Sequence, residues 1–98
     1  MKNVKFEALK ETVRGEKYYV LFKVLIEDRE GYCIAVEDED FSVQGLGNDF
    51  DRANEIYKAI SDGVVSAIHV NDVISDMQID FQSRIFAWNY LLLLVFMV

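Results

Sequence analysis

The 98-residue chain has no proline, one cysteine, one histidine and five glycines. Without proline it has no rigid polyproline spacer. The lone Cys33 rules out an internal disulfide and fits a reducing compartment. The lone His69 has no second histidine or cysteine at metal-ligand spacing, and no Ser-His-Asp set is suggested. No stretch rich in Gly, Ser or Gln marks a linker, and no repeat divides the chain. The start, Met-Lys-Asn-Val-Lys-Phe, has no long apolar core, so a cleaved signal peptide is not expected.

Apolar residues make up 52% of the chain and aromatic residues 13%, with a net charge of −7. A chain of this size and composition folds as one domain with a real core. The charge is uneven. Residues 1–29 carry seven basic and five acidic side chains, whereas residues 30–98 carry three and twelve. An acidic surface repels phosphate backbones, so nucleic-acid binding is not expected. The asymmetry reads as a solvated surface, or else as a preference for a basic partner or for self-association.

The first half alternates with the period of strands. Val4, Phe6 and Ala8 share a face. The phase shifts at Leu9, placing Leu9, Glu11 and Val13 on the other, and a bulge near 8–9 explains the shift. Arg14-Gly15-Glu16 predicts a tight turn. In the second strand Tyr18, Val20, Phe22, Val24 and Ile26 form the expected inward face. Lys17, Tyr19, Leu21, Lys23, Leu25 and Glu27 form the wetter one. A second hairpin is expected at Asp28-Arg29-Glu30-Gly31, followed by a third strand with Tyr32, Ile34 and Val36. The acidic run Glu37 to Asp40 predicts a solvated turn, and a short strand follows at 41–44.

Asn48 or Asp49 is a good helix N-cap. Phe50, Ala53, Ile56, Tyr57 and Ile60 form a helical stripe, and Gly63 stands where a C-terminal glycine belongs, predicting a helix over about 49–62. A second helix begins between Ser66 and Val70. Its cap is either Ser66 or His69, the latter with Asp72 reaching back as in a capping box. Val70, Val73, Ile74, Met77 and Phe81 face inward. Strands grouped ahead of helices predict an α+β domain over residues 1–80: a small antiparallel meander of about four strands, two short helices packed on one face, and an apolar C-terminal helix over 81–98.

The segment Ser66-Ala67-Ile68-His69-Val70-Asn71-Asp72-Val73-Ile74-Ser75-Asp76 resembles the closing Ser-Pro-Ile-His-Leu-x-Asp-Val-Val-x-Asp of a family of short, uncharacterised clostridia-type bacterial proteins, a domain of unknown function. The resemblance extends over about residues 3–78. Ala67 replaces the family's proline, and 41–48 departs from its lead-in to the first helix. The resemblance implies a small fold of strands and helices and a cytoplasmic home, and it carries no activity. Residues beyond Asp80 have no counterpart in it.

Candidate chemistry is sparse. His69, at a helix start, reads as a capping residue. Cys33, in a strand with acidic neighbours, reads as a small half-buried side chain, because a reactive thiol needs a cationic setting. Glu37 to Asp40 and Asn48-Asp49-x-Asp51 lack calcium-loop spacing. Gly45-x-Gly47 lacks the third glycine and the lysine of a phosphate loop. Tyr18, Tyr19, Phe22 and Tyr32 cluster on adjacent strands. The wetter face bearing Tyr19, Leu21 and Leu25 is suited to a peptide, a second copy or the chain's own tail. No catalytic, cofactor or metal residue is expected.

The run Ile85 to Val98 is uncharged, with Asn89 its one strongly polar side chain. As a helix its fourteen residues span about 21 Å, short of the roughly 30 Å hydrocarbon core. Counting from Phe81 brings the length to about 27 Å, but includes Arg84. The tail therefore reads as a packed helix, as a membrane anchor, or as an altered or truncated end. The expected function is that of a small non-enzymatic, cytoplasmic interaction or regulatory module. The alternative is a membrane-tethered accessory protein anchored by 81–98.

Overall fold

Strand alternation in residues 4–45 closes into a single antiparallel sheet because each connection is short enough for a hairpin. The computed structural model describes residues 3–77. Its strands are β1 (Val4–Arg14), β2 (Lys17–Ile26), β3 (Arg29–Glu37) and β4 (Phe41–Gly45), in the spatial order β1-β2-β3-β4. Helices α1 (Phe50–Asp62) and α2 (Val70–Met77) follow, with a 3₁₀ turn over Ala67–His69 leading into α2. This is the expected α+β meander with two short helices on the sheet. The predicted helix over 81–98, and Phe81 of the α2 stripe, lie outside the described residues.

The turns explain the register. Gly15, at φ 62°, begins the two-residue β1–β2 connection, where a positive φ suits the strand twist. The β2–β3 turn is Glu27-Asp28, with φ 48° and 67°, and not 28–31 as the sequence suggested. Two adjacent left-handed residues make the tight reversal without a glycine, so Gly31 lies inside β3 opposite Val24. The expected bulge is present: the β1–β2 register shifts between Ala8 and Lys10. Its consequence differs from expectation. Leu9 turns toward the helix-side core, while Glu11 and Val13, opposite Val20 and Tyr18, stay on the face of Phe6 and Ala8.

The two helices cover the face expected to be wetter. Tyr19 and Leu21 are completely buried and pack with Ile34, Val36, Ile56, Ile60, Val70 and Ile74 in the main core. The covered face also carries polar contacts from β1 to α1. On its helix side, Lys10 donates to Asn54 Oδ1 at 2.7 Å, Thr12 pairs with the Tyr57 hydroxyl at 2.6 Å, and Arg14 meets Asp62 at 3.2 Å. Alternate strand residues thus meet successive turns of α1 on this face. The Tyr57 hydroxyl also donates to the Tyr19 carbonyl at 3.3 Å, so the Thr12 hydroxyl is the donor in their pair. Burial raises the Tyr57 phenol above its ordinary value, and the Thr12 hydrogen bond opposes that rise.

Asp49 caps α1, accepting from the backbone N–H groups of Asp51 and Arg52 at 3.0 and 3.4 Å. At the other end, Val64 N–H reaches Ser61 O and Val65 N–H reaches Ile60 O, at 3.2 and 3.1 Å. This is the bonding of a Schellman motif, whose left-handed position is normally glycine. Here Gly63 keeps a right-handed φ of −78°, and Val64 takes φ 51°. Gly63 is needed for a different reason: a Cβ there would stand 2.8 Å from Ala59 O.

Neither Ser66 nor His69 caps the second helical segment. Ser66 makes no side-chain cap bond, and the His69 N–H is satisfied by Ser66 O at 2.9 Å. The cap comes instead from the β3–β4 turn, where Asp38 Oδ2 accepts from Ala67 N–H at 3.1 Å. Asp38 also accepts from Asp40 N–H at 2.9 Å and lies 4.0 Å from Lys17 Nζ. The acidic turn is therefore not wholly a solvated loop. The N–H groups of Asp40 and Ala67, with a further contribution from Lys17, hold the Asp38 carboxyl below the usual carboxylate range.

Candidate functional site

Because both helices lie on the Tyr19 and Leu21 side, the other face of the sheet has none of the described elements over it. Pairing places Tyr18, Val20, Phe22 and Val24 of β2 on this outer face, beside Cys33, Ala35 and Glu37 of β3. Phe41 and Val43 extend it on β4, and Phe6 and Ala8 on β1. The sheet's curvature makes a groove of about 290 Å³ there, and of its nine lining residues only Glu37 is charged. Phe6 stands edge-on to Phe22, with ring centroids 6.4 Å apart. Phe41, 65% exposed, forms the rim along β4.

The floor and rim differ sharply in exposure. Val24 and Cys33 are 0% and 1% exposed, and Val20 and Ala35 are 5% and 8% exposed. With Ile26, the first two form a second apolar cluster, separate from the helix-side core. Cys33 lies in this floor as an unreactive group. Burial pushes its thiol up from 9.0 to about 12, so it stays protonated and is a poor nucleophile.

A second depression, of about 380 Å³, lies among Glu16, Lys17, the acidic turn, Ser66 and Ile68. Its best-placed carboxylate, Asp38, is already committed to two backbone N–H groups. Acids outnumber Lys17 around it, which disfavours an anion. Among the described residues no group of three His, Cys, Asp or Glu side chains is arranged to hold a metal ion.

The sequence candidates are scattered by the fold. His69 is exposed, with its Nδ1 3.8 Å from Asp72 Oδ2, far from Cys33 on the other side of the sheet. Of the aromatic cluster, Tyr19 and Tyr32 enter the helix-side core, whereas Tyr18 and Phe22 line the outer groove. Tyr19 donates to Val65 O at 2.8 Å, and Tyr32 stacks edge-on with Phe50 at 5.6 Å. The residues that build the groove were legible as a strand face, and what marks them as a surface is the placement of the helices opposite. No helix among the described residues is long and apolar enough to cross a membrane. Compared with known protein families, curated proteins and solved structures, the chain matches none.

Proposed function

We propose that the chain is a small, non-enzymatic, cytoplasmic interaction module that holds an apolar polypeptide segment on the outer face of its sheet. The carrying observation is the groove lining: eight uncharged residues, with Glu37 the single charge. A pocket for a metabolite needs several convergent polar groups to orient it, and this groove offers few. A polypeptide needs only shape, apolar contact and access to a strand edge. The protonated Cys33 thiol supplies no nucleophile, and a lone cysteine suits a reducing compartment. Membership of the clostridia-type family that residues 66–76 resemble is part of the same reading, and it adds a bacterial cytoplasmic setting without an activity.

The test places a benzophenone amino acid at Phe41 in the full-length protein and irradiates it. A covalent product joining position 41 to a polypeptide segment remote in sequence, or to a second chain, supports the reading. Benzophenone that returns unreacted or reacts only with solvent overturns it. The second reading, a membrane-tethered accessory protein, draws on the uncharged residues 85–98. Full-length protein that floats with phosphatidylcholine vesicles and resists carbonate supports that alternative. Protein left in the dense fraction removes it.

A further inference from the structure

We infer that the segment held in the groove is residues 85–98 of the same chain. The inference rests on the outer face being a polypeptide-binding surface, and it names the occupant.

Three observations select this segment. The first is the groove itself. Val20, Phe22, Cys33 and Ala35 line it as a continuous apolar surface, and no described element crosses above them. The second is composition. Residues 85–98 are uncharged, with Asn89 the one strongly polar side chain, and the groove is equally apolar apart from Glu37 at its end. An unbroken apolar run needs cover on more than one side, and an apolar sheet face that no described element covers is suited to supply it. The third is reach. The described chain leaves the fold at Met77, at the end of α2, which packs beside the edge strand β4. The seven residues 78–84 span up to about 24 Å when extended. The molecule's shortest extent is 21 Å, so the spacer's reach is on the scale of the path from α2 past the β4 edge.

Intramolecular docking also gives the segment two exclusive uses. Residues seated in the groove are unavailable to a bilayer or to another chain, and their release bares both the groove and the segment at once. Tethering by a short spacer sets a local concentration in the millimolar range, so a cis contact outcompetes a second copy at ordinary protein concentrations.

The experiment maps the benzophenone product from Phe41 in a mixture of isotope-labelled and unlabelled full-length protein. Trypsin cleaves after Arg84, so the segment is recovered as a peptide beginning at Ile85. The expected product joins position 41 to that peptide, with both halves carrying the same isotope. A paired variant, Leu92→Asp with Leu93→Asp, places two charges in the segment. It should lower the cross-link yield by about tenfold or more and raise anilinonaphthalene sulfonate fluorescence as the groove opens. A product joining labelled to unlabelled chains overturns the inference while leaving the interaction module intact. A product on any other part of the chain has the same meaning. No polypeptide product at all overturns both. The unsubstituted segment decides the question alone, so a paired variant that fails to fold does not rescue the proposal.

Discussion

Val64 and Gly63 sit in the reverse of the order a helix end favours. A β-branched residue held left-handed costs on the order of 1–3 kcal/mol. The Schellman bonds and the packing of Val65 on the core hold it there. Val64→Gly should therefore stabilise the protein, by about 1 kcal/mol after glycine's entropic cost, measured as a shift in urea midpoint at unchanged slope. Gly63→Ala should destabilise it, because the new Cβ meets Ala59 O at 2.8 Å, a backbone atom that cannot swing aside. The helix end was legible from Gly63, but its geometry was not. The sequence marks where a glycine stands and does not say whether φ or a close approach requires it. Cys33 makes the same point about chemistry. Its burial predicts that the native protein resists a thiol reagent at pH 8 and reacts at the rate of unfolding.

The faces of β2 carry the main lesson about elements. Alternation along Tyr18 to Ile26 was legible, and so were the bulge, the α1 boundaries and the inward positions Val70, Val73, Ile74 and Met77 of α2. Which face the helices would cover was not, because both faces are apolar enough to be a core. On the covered face, Lys10, Thr12 and Arg14 reach Asn54, Tyr57 and Asp62, contacts 44 to 48 residues apart in sequence that no local pattern announces. Leu21, fully buried beneath the helices, should lose about 2–5 kcal/mol on mutation to Ala. Phe22, half-buried on the outer face, should lose less, about 1–3 kcal/mol. Urea unfolding that ranks them the other way round would mean the outer face is the better-packed side in solution. The Asp38 cap is likewise a long-range choice, made by a turn 29 residues from Ala67. A depressed carboxyl stabilises above its unfolded value, about 3.9, and the stabilisation is lost as pH falls through the lower folded value. Asp38→Asn should thus lower the melting temperature at pH 7, and the gap to the parent protein should close in acid.

At the scale of the molecule, the alkaline limit is set by groups the core keeps neutral. Burial raises Cys33, Tyr19, Tyr32 and Tyr57 above their ordinary values. A raised folded value gives stability that is complete below the unfolded value and disappears as pH climbs toward the folded one. For Cys33 that window runs from 9.0 to about 12. Unfolding free energy should fall across it, and Cys33→Ala should make the decline shallower, as urea titrations at several pH values will show. The charge asymmetry of the chain is partly absorbed by the same architecture, since basic β1 meets acidic α1 through Arg14 and Asp62. The sheet, however, is assembled from neighbours in sequence, and its cover is not. On a ribosome, β1 to β4 are complete once Gly45 has emerged, whereas α2 ends 32 residues later at Met77. At ordinary elongation rates that interval lasts about 2–6 s, far longer than a hairpin needs to form. For those seconds the nascent sheet shows Tyr19, Leu21, Ile34 and Val36 to water on one side and its groove on the other, so the growing chain is stickiest before its helices exist.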